Sequence, residues 1–348
     1  MARTIEPLGN GLLPTALSAL YGAAMGLRNR AFDTFSNLSH DIDRPVISIG
    51  GVAAGGSGKT PLALVTGRYA LSKGYAVAFL SRGYRRKAAQ TVISAPGSLD
   101  SWESVGDEPA MLHSALPQTW LGIGADRIRC AEALVPQLPE KAVFVLDDAF
   151  QHRKVKRNLD IVCLPPGAHR DRLLPAGMLR ESLAGLRRAQ CICIVGSADD
   201  DAAGMAESRL YLTSRFPHAA VVSLNQRAAG WVNVKTGEHR EVLPIKRPAA
   251  LCGIARPQRF IILLKKMGIS LYAKSIFNDH HAFTGKEIES IANSPGVSGI
   301  VTTEKDAVRL RSLKLVSWPD IWYLKIEVLF SDENSLSHFN RVIDGILP

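Results

Sequence analysis

A strand–loop–helix unit at residues 46–60 restricts this 348-residue chain to a small set of folds. Val46-Ile47-Ser48-Ile49 is a short β-branched apolar run. It enters a glycine-rich loop that ends in Gly58-Lys59-Thr60. Thr60-Pro61-Leu62-Ala63-Leu64-Val65 reads as the start of a helix, with Pro61 tolerated in its first turn. Such a unit is an anion cradle: loop N–H groups converge on phosphate oxygens, glycines let the backbone approach, and the helix dipole adds positive potential. Lys59 is set to reach β/γ-phosphates and the Thr60 hydroxyl to ligate Mg²⁺. Ala53 stands where the G-x-x-x-x-G-K-[ST] pattern has its first glycine. The expected nucleotide contacts are Ala53, Ala54, Gly55, Gly56, Ser57, Gly58, Lys59 and Thr60.

Around this unit, apolar β-rich runs alternate with helical stretches. Strands are expected at Ala76–Leu80, Thr91–Ser94, Thr119–Ile123, Ala142–Leu146, Leu159–Leu164 and Cys191–Val195, and helices at Glu108–Ala115 and Arg127–Leu138. The alternation indicates a three-layer α/β/α domain on a mostly parallel sheet. Near Phe216–Leu243 the rhythm changes to extended segments at Ala219–Leu224, Gly230–Val234 and Glu241–Leu243, read as a short β linker. A second, smaller α/β unit follows. Its strands are Ala249–Cys252, Tyr272–Phe277, Ile300–Thr303 and Ile321–Ile326; its helices are Pro257–Met267, Gly285–Asn293 and Ser335–Ile346. The expected organisation is a P-loop nucleotide-binding domain over 1–215, a β linker over 216–245 and a smaller α/β domain over 246–348.

Charge and polarity narrow the partners. The net charge is +10, and residues 151–190 carry nine Lys/Arg against three acids. Such a basic stretch attracts an anionic partner. No nucleic-acid module accompanies it, so nucleic acid is not expected. Pro7 to Leu27 holds no charge, but Pro14 and several glycines interrupt it. What remains is shorter than the roughly 20 residues a spanning helix needs. Leu13, Leu17, Leu20, Ala24, Leu27, Ala31 and Phe35 recur at helical spacing instead, giving an amphipathic helix that packs on the domain or lies in a membrane interface. The five cysteines lack CxxC spacing, which argues against zinc and disulfide frameworks.

Several acids and histidines sit at strand ends. Asp147-Asp148 ends the run Ala142–Leu146, which in a P-loop fold places acid beside the metal near Thr60. Gln151 and His152 follow. Asp107-Glu108 lies in a Gly/Pro-bounded turn, where Asp107 either caps a helix or supplies the carboxylate that a kinase needs near its acceptor hydroxyl. Asn278-Asp279-His280-His281 follows a predicted strand of the second unit, and either histidine can turn into a cleft.

Together these segments resemble the tetraacyldisaccharide 4′-kinase family. The resemblance is carried by Ile49–Pro61, Ser81-Arg82-Gly83-Tyr84, Val105–Pro109, Asp147-Asp148-Ala149-Phe150-Gln151-His152, Leu173–Glu181, Gly253–Pro257, Asp279-His280-His281 and Thr302-Thr303-Glu304-Lys305-Asp306. The family usually has Gly where this chain has Ala149. The resemblance implies transfer of the ATP γ-phosphate to the 4′-hydroxyl of tetraacyldisaccharide 1-phosphate, giving lipid IVA in lipid A biosynthesis. It also implies peripheral attachment to the cytoplasmic face of the bacterial inner membrane, with no obligate protein partner. Carried onto matching positions, Asp107 is the base on the sugar hydroxyl and His280 its partner; Asp147 and Asp148 manage Mg²⁺ with Glu108 close by. Arg82, Tyr84 and Arg127 are the substrate or phosphate contacts. The competing readings are a P-loop NTPase switch and a soluble small-molecule P-loop kinase. Thr303-Glu304-Lys305-Asp306 places Lys one position too late for the guanine-specific Asn-Lys-x-Asp pattern.

Overall fold

The computed structural model describes residues 7–347 other than 10, 56, 85, 87–89, 99–100, 198–199 and 316. The chain begins with helix α1 (Leu12–Thr34), then strand β1 (Val46–Gly51) and helix α2 (Lys59–Ser72). Next come β2 (Ala76–Ser81), β3 (Val92–Ser94), α3 (Trp102–Val105), α4 (Asp107–Ala115), β4 (Trp120–Ile123) and α5 (Arg127–Leu134). They are followed by β5 (Ala142–Leu146), β6 (Leu159–Leu164), β7 (Cys191–Gly196), α6 (Ala202–Arg215), β8 (Ala220–Asn233) and β9 (His239–Arg240). The last third contains β10 (Pro248–Cys252), α7 (Pro257–Lys266), β11 (Ala273–Ile276) and α8 (Gly285–Ala292). It closes with β12 (Gly299–Thr303), α9 (Glu304–Arg311), β13 (Ile321–Phe330) and α10 (Glu333–Asp344).

All thirteen strands join one sheet, ordered β11-β10-β12-β13-β8-β7-β6-β1-β5-β2-β4-β3, with β9 on β8. From β8 to β4 every pairing is parallel, and β3 adds an antiparallel edge. β1, β5, β6 and β7 are buried along their whole length. Helices cover both faces of such strands, which is why they read as unbroken apolar runs. β1 lies between β5 and β6, so the phosphate loop emerges at the centre of the sheet beside the carboxyl end of β5. Ligands of open α/β sheets bind at such ends.

The segment expected to be a short linker is structural. Residues read as two extended pieces form one fourteen-residue strand, β8, whose first part pairs with β7 and whose second part pairs antiparallel with β13. Its polar middle, Asn225-Gln226-Arg227, resembles a break because this stretch is a ribbon with only one side covered. Ala229 and Gly230 both oppose Lys325 in a bulge, and Gly230 takes φ 104°. Bulges bend a strand and add twist. Glu241–Leu243 forms no strand; the short β9 lies just before it. Beyond β13, the parallel set β11-β10-β12-β13 runs opposite to the first half. Phe339 and Ile343 of α10 return to the core that contains Ile47, Leu62 and Phe79.

Helix α1 is amphipathic in an inverted sense. It docks through polar groups: Ser18 Oγ donates to Leu173 O (2.9 Å), Tyr21 OH to Arg180 O (2.6 Å) and Arg28 Nη2 to Gln151 O (2.6 Å). Ser18 is the one buried residue of the helix. Leu12, Leu13, Leu17, Leu20 and Leu27 all project outward, Leu12 with 93% and Leu27 with 71% of its surface exposed. Among the described residues, no helix is long and apolar enough to cross a membrane.

Candidate active site

The phosphate loop is pinned from outside. Ala54 N–H donates to Met178 O (2.7 Å) and Arg180 N–H to Val52 O (2.6 Å), tying the loop to the Leu173–Glu181 segment. Ala53 bridges to Leu179, so an alanine at the first position costs the loop no contact. Gly58 caps α2 in the left-handed region (φ 76°), and a Cβ there would lie 2.7 Å from Val195 Cγ1. Both sterics and backbone angle thus require glycine. Lys59 Nζ lies 3.4 Å from Gly55 O and from Ser57 Oγ, folded over the loop. Gly56 falls outside the described residues.

The two acids at the end of β5 behave differently. Asp147 is buried beside Thr60, whose Oγ1 donates to Asp147 Oδ2 at 3.4 Å. Its Oδ1 is buried without a hydrogen-bond partner among the described residues. Burial first, then the charges of Glu108 and Asp148, push its carboxyl up to about 7. Asp148 takes φ 47° and receives two hydrogen bonds from Arg180, Nη1 at 3.1 Å and Nη2 at 2.7 Å, with Lys59 Nζ at 3.7 Å. Burial alone would raise its carboxyl, but Lys59 and Arg180 outweigh that and hold it at about 2. The left-handed residue is Asp148 itself, which explains why Ala149 is accommodated.

An orphaned buried carboxylate oxygen beside the P-loop hydroxyl fits a hard cation. No group of three or more His, Cys, Asp or Glu side chains is clustered as a metal cage among the described residues. Mg²⁺ requires none, being held by one or two carboxylates together with substrate phosphates and water.

The structure brings Asp107 and His280 together across 173 positions of sequence. His280 Nδ1 lies 2.8 Å from Asp107 Oδ2, while Asp107 Oδ1 accepts from Glu108 N (2.9 Å). Asp107 starts α4 and is buried; His280 sits at φ 60° in the turn after β11. Burial would raise the Asp107 carboxyl, but the hydrogen bond to His280 and the charges of Lys305 and Arg309 prevail and hold it below the usual carboxylate range. His281 points elsewhere, stacked on Phe277 with ring centroids 4.5 Å apart and its Nε2 3.1 Å from Glu287.

A supporting layer escaped the sequence reading. Lys305 Nζ lies 3.2 Å from Glu108 Oε1 and 3.8 Å from Asp107 Oδ2. Buried Arg309 pairs with buried Asp306 at 2.5 Å and donates to Gly253 O (2.9 Å) and His281 O (3.1 Å). Asp306 in turn accepts from Gly253 N (3.1 Å), and Gly253 O accepts from His280 N (3.0 Å). Thr302–Asp306 is one of the segments that carry the family resemblance, and tertiary contact reveals Glu304–Arg311 as the buttress of the His280 turn.

Lys59, Asp147, Asp148, Glu108 and Arg180 line one cavity of about 640 Å³ together with Arg28, Arg82, Tyr84, Arg127, His152 and Arg256, and Glu108 and Asp279 in its wall are the chain neighbours of the Asp107–His280 pair. Tyr84 stands 5.8 Å, ring to ring, from His280. Burial pulls the Arg127 guanidinium below its ordinary value, as does nearby Arg82. Burial and then Arg127 lower His152 to about 4, leaving it neutral at physiological pH. The cationic character of the cavity is not that of segment 151–190 as a block. Six of its nine cations are paired with acids: Arg153 with Asp33, Lys156 with Asp41, Arg157 with Asp160, Arg170 with Glu207, Arg180 with Asp148 and Arg188 with Glu181. Arg180 alone of these reaches the cavity, and the other cations there come from distant parts of the chain.

A family model described as tetraacyldisaccharide-1-P 4′-kinase matches residues 11–344. A tetraacyldisaccharide 4′-kinase of Chlorobaculum tepidum is 38% identical over 301 residues, covering 84% of this chain and 85% of that protein. One of Porphyromonas gingivalis is 32% identical over 346 residues, covering 95% and 96%. The crystal structure of LpxK from Aquifex aeolicus in complex with ATP superposes with a TM-score of 0.76 at 29% identity, over 96% of this chain and 98% of that one. With the P-loop and the strand-end acids in one cavity and the Asp107–His280 pair next in sequence to Glu108 and Asp279 of its wall, the chain belongs to the tetraacyldisaccharide-1-P 4′-kinase family.

Proposed function

We infer that the protein transfers the γ-phosphate of ATP to the 4′-hydroxyl of tetraacyldisaccharide 1-phosphate. The observation that carries this is a cavity lined by the phosphate loop, Asp147 and Asp148, whose wall also holds Glu108 and Asp279, the chain neighbours of the Asp107–His280 contact. Lys59 and the loop N–H groups that follow Ala54, whose own N–H is taken by Met178 O, hold the ATP phosphates. Thr60 and Asp147 hold Mg²⁺, with Asp148 and Glu108 facing the same place; the metal supplies charge neutralisation on the phosphates. Ionised Asp107 accepts the proton of the sugar hydroxyl, as a kinase aspartate does, and His280 orients it. Arg82, Tyr84 and Arg127 line the acceptor side.

The outward leucines of α1 support peripheral attachment to the cytoplasmic face of the bacterial inner membrane, where an acylated substrate resides. The two halves, 1–215 and 246–348, flank the cavity, and seating one on the other assembles the site and excludes water from the phosphoryl donor. ATP consumption measured with and without the acylated disaccharide tests the reading. A kinase consumes ATP in step with added lipid. A nucleotide switch hydrolyses it at the same rate with no lipid present, and that result would overturn the assignment.

A further inference from the structure

We propose that Arg256 is a catalytic residue of this phosphoryl transfer: an arginine finger supplied in cis by the β10–α7 loop, whose guanidinium holds the oxygens of the γ-phosphoryl group as it moves. The proposal rests on the kinase reading above.

The geometry is specific. Arg256 directly precedes Pro257, the first residue of α7. Its guanidinium lies over the phosphate loop: a Cβ built on Gly55 would sit 3.1 Å from Arg256 Nη2 and 3.2 Å from Cζ. Gly55 takes φ 100°, so the loop presents bare backbone to the guanidinium. Met178 braces the group from the side, its Sδ 4.0 Å from Nη2, while Met178 O accepts from Ala54 N. The residue that pins the loop therefore also sets the guanidinium above it. Arg256 shares the cavity with Lys59, Asp147 and Asp148.

Arg180 and Lys59 belong to the half that carries the phosphate loop. Arg180 is committed to Asp148 through both Nη atoms, and Lys59 is folded back on Gly55 O and Ser57 Oγ. Arg256 arrives from the opposite half on the Gly253–Arg256 turn. Gly253 O accepts from His280 N, and Gly253 N donates to Asp306. The acceptor-side pair and the finger thus hang from one glycine, so docking of the second half delivers both together.

In the step, the 4′-oxygen forms a bond to Pγ. The bond from Pγ to the β–γ bridging oxygen breaks, its electron pair leaves with ADP, and the hydroxyl proton passes to Asp107. Negative charge spreads over the three γ oxygens, and the planar guanidinium fork of Arg256 is shaped to donate to two of them. Arg256 gives up no proton.

The test uses the full chain with Arg256→Ala and Arg256→Lys. It measures kcat for lipid phosphorylation, and binding of ADP·Mg²⁺ alone and with aluminium fluoride, which mimics the phosphoryl group in transit. The expected result for Arg256→Ala is a kcat loss of at least about 100-fold. ADP affinity should stay within about threefold, and the added affinity that aluminium fluoride gives the wild type should disappear. Arg256→Lys keeps the charge but not the fork and restores little. Three results overturn the finger: kcat within about threefold of wild type, ADP affinity falling as far as kcat, or an aluminium fluoride gain that survives the substitution. If the wild type phosphorylates no acylated disaccharide yet shows an Arg256-dependent aluminium fluoride gain, the acceptor assignment fails and the finger stands.

Discussion

Two aspartates one residue apart perform opposite electrostatic tasks. Asp148 stays ionised because Arg180 and Lys59 surround it, whereas Asp147 is buried against the acids Glu108 and Asp148 and titrates at about 7. An unfolded aspartate titrates near 4. With its folded value raised, Asp147 stabilises the metal-free fold fully below about pH 4 and loses that contribution as pH rises to about 7. Asp147→Asn should therefore raise the metal-free Tm at pH 8, leave it nearly unchanged at pH 4, and abolish Mg²⁺ binding; an unaltered Tm at pH 8 would contradict the burial of charge. For the native protein, Mg²⁺ affinity measured by calorimetry should weaken as pH falls below 7, since protons compete for the same carboxylate. Asp107 is held on the acidic side, so it remains a base throughout that range. Asp107→Asn and His280→Ala should each lower kcat by about 10²–10⁴, and values near wild type for both would dismiss the pair. The buried Asp306–Arg309 pair offers a stability test. Removing one partner of such a pair costs about 3–5 kcal/mol, so Arg309→Ala should lower the denaturant midpoint strongly and release the His280 turn.

At the scale of elements, α1 shows how a helix can be apolar on the side facing away from the protein. Its polar side bonds to Leu173, Arg180, Gln151 and Glu181, leaving the leucine stripe to solvent or lipid. Leu17→Glu with Leu20→Glu should abolish binding to anionic liposomes while leaving kcat on detergent-dispersed substrate and Tm close to wild type. A large fall in Tm would mean that the stripe is core. The periodicity of the stripe was legible in sequence, but its direction was not, because spacing does not say which face is docked. The strands that carry the site were legible for a similar reason: β1, β5 and β6 are buried on both faces and stand out as apolar runs bounded by turns. β8 was not. Its middle lies in an exposed ribbon where polar residues mimic a loop, so one strand looked like two pieces of linker. Helix α9 is charged at five of its eight residues, and α6 is diluted by alanine, glycine and serine, so neither shows the apolar stripe that marks a helix.

For the whole molecule, the sheet is continuous but reverses direction at the antiparallel β8–β13 pair. The phosphate loop, the β5 acids and Asp107 come from one side of that pair, and Arg256, His280 and Lys305 from the other. The phosphate loop and the β5 acids could be read from local motifs, since each follows a strand in a known arrangement, whereas Asp107 follows α3 and took its role from the resemblance. The second group depends on contacts across more than a hundred residues, which no local pattern encodes; His280 stood out at a strand end and took its role from the resemblance, Lys305 lay in a matching segment with no role assigned, and Arg309 emerged only from the fold. The proposed function makes a single demand on this arrangement: that donor and acceptor react in the cavity. Incubation with γ-labelled ATP, Mg²⁺ and tetraacyldisaccharide 1-phosphate, followed by separation of the lipids, measures this directly. The account predicts label at the 4′-position of the lipid for the wild type and its near-complete loss for Asp107→Asn. A folded wild-type protein that yields no labelled lipid, or an Asp107→Asn variant that labels it as fast, would contradict the account.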